Sequence, residues 1–89
     1  MTSPAAAAPA SAAAGKAVFA SAGCGSCHTL RAAAAKGNVG PDLDRLQPDA
    51  QRVSDVVSKG KGVMPSYENR LTDKQIRDLA AYVARAARG

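Results

Sequence analysis

The sequence predicts a small all-α domain. Three observations point to it. No stretch alternates apolar and polar residues with period two, so no sheet is expected. Two stretches instead repeat apolar residues at helical spacing between recognisable caps. The chain has 89 residues, room for one domain only.

The elements follow in chain order. Residues 1–13 are almost all Ala, Pro and Ser, carry no charged side chain, and read as a linker or disordered tail ahead of a folded part over 14–89. A short helix starts after Ser11 and runs to Ala22. Gly15, Val18, Phe19 and Ala22 share its spacing, and Gly23 is its stop. Arg31–Gln47 is loop-like, broken by Gly37, Asn38, Gly40 and Pro41, with one helical turn expected over Ala32–Ala35. Pro48 then suits the first position of a helix, with Asp49 in its first turn. Val53, Val56 and Val57 give that helix one apolar face, and Gly60 ends it. The last helix runs from Thr72 to about Arg88. Thr72 and Gln75 form a capping box, and Leu71 and Ile76 a hydrophobic staple. Ile76, Leu79, Ala80, Val83 and Ala87 make the buried stripe. Arg85 and Arg88 sit where the helix dipole favours cations.

Composition limits the core. The aromatics are Phe19, Tyr67 and Tyr82, there is no Trp, and alanine dominates the apolar count. Such a core is thin, and a domain of this size is marginal without help. A large apolar prosthetic group would supply what is missing. The formal charge of +5 favours an acidic protein partner or an anionic surface. The cations are dispersed among seven acids without a basic-aromatic stacking motif, so no nucleic-acid partner is expected. No stretch reaches the roughly 18 apolar residues of a membrane-spanning helix. No secretory signal is visible, and Met1 is read as an expression start or a cut through a longer precursor.

Cys24-Gly25-Ser26-Cys27-His28 carries the chemistry. Two thiols three positions apart can each add to a porphyrin vinyl, and the following imidazole can reach the iron; C-x-x-C-H is the attachment signature of c-type haem. Other readings of the cysteines fit less well. Structural zinc needs four N or S ligands, and the chain has two Cys and one His. A thioredoxin-type dithiol needs a βαβ setting. A disulfide would close a very small loop. Because His28 is the sole histidine, a second axial ligand within the chain must be of another type. Met1 lies on the tail. Met64 lies in Gly60-Lys61-Gly62-Val63-Met64-Pro65, a loop between two helices where Pro65 restricts Met64 to extended backbone. The competing role for Met64 is filling a gap in the core.

From Gly15 onward the chain resembles a class I c-type cytochrome of the short bacterial monohaem type. Four motifs in order carry the resemblance. They are Gly15-Lys16-Ala17-Val18-Phe19, Cys24-Gly25-Ser26-Cys27-His28, Gly40-Pro41-Asp42-Leu43, and Met64-Pro65 followed by Leu71-Thr72-Asp73 and Leu79-Ala80-Ala81-Tyr82-Val83. The resemblance implies a small cytochrome c fold, three to five helices wrapped around one covalent haem c. It implies Cys24 and Cys27 as the thioethers, His28 and Met64 as iron ligands, and the Pro41 carbonyl as acceptor for the other ring nitrogen of His28. It further implies that Leu43 packs on the haem, and that Phe19, Leu79 and Tyr82 hold the first and last helices together with Gly15 permitting close approach. Five positions separate Phe19 from Cys24, where many relatives have four. Arg45, Arg52, Lys59 and Tyr67 are all candidates for the haem propionates.

An iron closed by His and Met favours reversible one-electron transfer over oxygen chemistry. The expected function is therefore that of an electron carrier, not an enzyme, working outside the cytoplasmic membrane as a monomer. It would pass electrons between redox proteins with acidic docking surfaces. Lys16, Arg31, Lys59 and Lys61 form a candidate docking rim, against the plainer reading of solubilising charge. The carrier is either free or tethered by its tail to a membrane anchor or larger redox enzyme. A ligand-binding haem domain with dissociable Met64 and a haem-free helical interaction module remain as alternatives.

Overall fold

The structure is a computed structural model and describes residues 10–89; the part of the expected tail that falls on residues 1–9 lies outside the described residues. Ala12–Ser21 forms α1, capped by Ser11, whose hydroxyl accepts from the Ala14 N–H. The helix thus includes Ala12 and Ala13, which composition alone groups with the tail. Their methyls tolerate a helix as readily as a linker, and the cap one residue upstream decides.

Leu43–Leu46 forms the single turn α2 and Ala50–Lys59 forms α3. Here the expected start is shifted. Pro48 is buried outside the helix, and Asp49 is the cap, its carboxylate accepting from the Arg52 N–H at 2.8 Å. A carboxylate that can cap displaces the proline from the first helical position. Val53 and Val57 face the core as expected, while Val56 is half-buried.

Asp73–Ala86 forms α4 with both arms of the capping box made: Thr72 Oγ1 accepts from the Gln75 N–H, and Gln75 Oε1 accepts from the Thr72 N–H. Leu71 packs against the core and Ile76 is buried, as a staple requires. Short 3-10 turns cover Cys24–Ser26 and Arg31–Ala33.

The expectation of no sheet needs one correction. Thr29–Leu30 (β1) pairs antiparallel with Ala35–Lys36 (β2), in the register Thr29 to Lys36 and Leu30 to Ala35. Ala34, at φ 53°, reverses the chain between them. Two-residue strands are too short to leave a periodic pattern, so closure of the loop makes this ribbon. The same turn moves the expected helical turn over Ala32–Ala35 to Arg31–Ala33.

The core lies where α1 and α3 both pack against α4. Phe19 and Tyr82 meet edge to face at 5.9 Å between ring centres, a geometry that contributes about 1 kcal/mol beyond area burial. Gly15 makes the crossing close: a Cβ there would lie 1.9 Å from the Asp78 carbonyl oxygen. Among the described residues only Leu30 and Leu79 are large side chains with essentially no exposure. That matches a thin core. Among the described residues no helix is long and apolar enough to cross a membrane.

Candidate functional site

The C-x-x-C-H segment follows α1 through a turn that ends in the left-handed Gly23. The Cys24 carbonyl accepts from both the Cys27 and His28 N–H groups, which sets the two cysteines one turn apart. Cys24 is half-buried against the core and Cys27 is exposed; neither is in a disulfide. Burial pushes the Cys24 thiol above its ordinary value, opposed by a backbone hydrogen bond and assisted by the neighbouring Cys27.

His28 is held from the Gly40-Pro41 side. Its Nδ1–H donates to the Pro41 carbonyl at 2.9 Å. A carbonyl can only accept, so this contact puts a proton on Nδ1; in the neutral imidazole Nε2 is then the nitrogen that carries the lone pair. The Gly40 N–H donates to the Cys27 carbonyl at 2.7 Å, tying the two segments together. A Cβ at Gly40 would stand 2.5 Å from His28 Cε1, so only glycine lets the backbone lie against this ring. Asp42 then caps α2 through the Asp44 N–H, and this turns Leu43 into the core.

Met64 is presented by a tight hairpin. The Lys61 and Met64 backbones exchange two hydrogen bonds of 3.0 Å each. Gly60 opens the hairpin at φ 78°, and a Cβ there would meet the Met64 carbonyl at 2.8 Å. The chain leaves the loop pinned to α3, where the Tyr67 N–H donates to the Val57 carbonyl at 2.8 Å. Met64, Leu43 and Cys24 all pack against one apolar cluster.

These residues fit a haem. The cysteines are free, the imidazole presents an unused nitrogen, and the thioether sits on a loop that shares a core with them. Large apolar side chains also stay exposed beside both motifs, Val39 at 65% next to Gly40 and Val63 at 86% next to Met64. An apolar cofactor would give such side chains something to cover.

Comparison with known proteins agrees. The family described as Cytochrome C oxidase, cbb3-type, subunit III matches residues 10–83. The chain belongs to the small class I c-type cytochromes. Cytochrome c6 of Picosynechococcus is 38% identical over 84% of this chain and 73% of its own length. Cytochrome c6 of Limnospira maxima is 38% identical over 80% of this chain and 88% of its own. Among solved structures, the c-type cytochrome SorU from Sinorhizobium meliloti is 46% identical with a TM-score of 0.81, covering 85% of this chain and 90% of that one. Cytochrome c6 from the diatom Phaeodactylum tricornutum is 27% identical with a TM-score of 0.69, covering 86% of this chain and 94% of that one. The cofactor of this c-type cytochrome is covalent haem c with its iron, and its helices form the small cytochrome c fold. It is a small electron-carrying haem protein.

Three features of this cytochrome escape a reading of the sequence. Gly40 acts as a wall for the His28 ring, and its signal was only its place beside Pro41. Asp78 is a buried carboxylate in the face of α4 that meets α1, where the apolar stripe gave no hint of it. Arg85 joins Lys16 and Arg31 on one cleft, whereas Lys59 and Lys61 are exposed at the Met64 hairpin. Of the propionate candidates, Arg45, Arg52 and Lys59 are exposed, and Tyr67 is half-buried with Arg70 over its ring at 5.6 Å.

Proposed function

We propose that this cytochrome is a one-electron carrier, not an enzyme, whose haem iron would be held by His28 and Met64. The observation that carries the reading is the His28 to Pro41 hydrogen bond. It occupies Nδ1 of the residue directly after the cysteines, so Nε2 of the neutral imidazole is the nitrogen available to a metal, and it raises the basicity of that nitrogen. Cys24 and Cys27 would hold the group through two thioethers, each S–H adding across one vinyl group with no change in electron count. Met64 supplies a soft, uncharged sulfur, which favours the reduced state. Haem c supplies a reversible one-electron couple when bound. The protein holds the ligands, excludes water with Leu43 and its neighbours, and offers a docking surface.

In this reading the carrier works outside the cytoplasmic membrane, since covalent attachment of this kind normally follows export. The segment ahead of α1 tethers it or precedes a free domain. Its donor and acceptor are redox proteins. Lys59 and Lys61 beside the Met64 hairpin are the cations placed to steer acidic ones.

The test is optical. The ferric holoprotein is expected to show the weak band near the red end of the spectrum that reports an iron–sulfur bond. Met64→Ala is expected to abolish it while mass spectrometry after denaturation still finds haem on the chain. A ferric wild type without the band would defeat the His/Met assignment and favour a ligand-binding haem domain. A steep fall in electron-transfer rate with salt supports acidic docking; a flat dependence removes it.

A further inference from the structure

An open cleft of about 480 Å³ lies where α1, the Arg31–Ala33 turn and the end of α4 meet. Lys16, Arg31 and Arg85 line it, one cation from each of these elements. Alanine methyls, including Ala12, Ala32 and Ala86, make up much of the rest. No Asp or Glu side chain lines it, and among the described residues none of the three cations is in an ion pair. The one recorded bond of Arg31 to a carboxylate uses its backbone N–H, which donates to Asp44. None of Cys24, Cys27, His28 or Met64 borders this cleft.

Tyr82 lines the same cleft and adds a second, independent observation. The side chain is 7% exposed and its ring packs edge-on against Phe19. Its hydroxyl is buried without a hydrogen-bond partner among the described residues. Buried hydroxyls nearly always have a partner. A phenylalanine would serve the packing with Phe19 equally well, so the oxygen is unexplained by the core.

We propose that this cleft binds a phosphate dianion, either free or as a monoester. Two guanidinium forks and one ammonium are donors only, and the Tyr82 hydroxyl lies buried and unpartnered beside them. A carboxylate offers two oxygens and one charge, which leaves donors idle and the site strongly positive. A phosphate dianion offers three terminal oxygens and two charges, and guanidinium groups meet it bidentately. The cleft is larger than inorganic phosphate alone, and the alanine methyls give the body of an ester an apolar surface to lie on.

The experiment uses the reduced holoprotein. Amide shifts are followed by NMR during titration with inorganic phosphate and, separately, phenyl phosphate, with chloride holding ionic strength constant. Saturable shifts are expected at residues 12–16, 31–32 and 82–86. Tighter binding of phenyl phosphate identifies a monoester, and equal or tighter binding of inorganic phosphate identifies the free anion; both support the site. Arg31→Ala and Arg85→Ala are each expected to weaken binding about tenfold. Tyr82→Phe is expected to weaken it about fivefold without lowering the ligand-free melting temperature. Shifts that do not saturate, shifts centred on Lys59 and Lys61, or affinities unchanged in both arginine variants would overturn the proposal. A Tyr82→Phe protein that melts lower yet binds as the wild type does would overturn the role of the hydroxyl. The haem spectrum, unchanged throughout, keeps this result separate from the axial-ligand test.

Discussion

The carboxylate of Asp78 accepts a hydrogen bond from the backbone N–H of Ser11 at 2.8 Å, joining residues 67 positions apart. Its other oxygen accepts from Lys74 Nζ, also at 2.8 Å. Asp78 is 3% exposed, so its charge lies inside the contact between α1 and α4 and is satisfied there by two donors. The Lys74 hydrogen bond, then the Ser11 N–H, hold this carboxyl below its ordinary value against the opposing effect of burial, with Lys74 and Arg77 adding favourable charge.

The sign of the pH dependence follows. A carboxyl whose folded value lies below its unfolded value stabilises the protein above the unfolded value. That contribution is lost as pH falls through the folded value. The melting temperature of the holoprotein is expected to fall as pH drops below about 4. Asp78→Asn should flatten this fall. It should also cost about 2 kcal/mol at neutral pH, less than a fully buried pair because Lys74 is 53% exposed. Melting curves from pH 3 to 7 check both; equal slopes in the two proteins would contradict the account.

Gly15→Ala tests the close crossing of α1 and α4. Alanine is the better helix former by about 1 kcal/mol, but its methyl would sit 1.9 Å from a backbone oxygen of Asp78. The helices must separate, and the expected outcome is a net loss of about 2 kcal/mol in urea unfolding. A stabilised variant would mean that α1 can slide without cost.

Gly40→Ala tests the wall behind His28. Its methyl would meet Cε1 of the ring at 2.5 Å, so the imidazole must turn and weaken its bond to the Pro41 carbonyl. Haem attachment is expected to survive because Cys24 and Cys27 are untouched. The ferric spectrum is expected to change, with stability reduced by about 2 kcal/mol. A wild-type spectrum would show that the ring has room to move.

Arg88→Ala tests the tie between the end of α4 and the start of α3. The guanidinium donates to the carbonyls of Gln47, Pro48 and Ala84. Loss of these bonds at a partly exposed site is expected to cost about 1 kcal/mol. Arg88→Lys should recover less than half, since an ammonium cannot fork across Gln47 and Pro48. Urea midpoints of the two variants decide it.

Much of the fold is legible in local chemistry. The Thr72/Gln75 capping box, the Leu71 and Ile76 staple, and the stripe from Ile76 to Ala87 depend on neighbours within a turn or two, and these appear as read. The misplacements occur where a nearby group competes. Asp49 takes the cap ahead of Pro48, and Ala34 turns the chain to build a ribbon of two pairs. The C-x-x-C-H motif is equally local, because Cys24, Cys27 and His28 lie within five positions of the chain.

The sequence by itself determined the three longer helices, the C-x-x-C-H pattern of Cys24, Cys27 and His28, and the small supply of further candidate ligands, with one histidine and one methionine outside the tail; the single turn α2 falls in the stretch read as a loop. Each of these is a matter of residue type and short spacing. Only the tertiary structure decided the rest. It placed the Pro41 carbonyl on Nδ1 of His28, laid Gly40 against the imidazole, buried Asp78 beneath Ser11, and gathered Lys16, Arg31 and Arg85 on one cleft. Those relationships join segments separated by a dozen residues or more. Spacing along the chain carries no record of them, because it is the packing of α1 across α4 and the folding back of the Gly40 loop that bring them within reach.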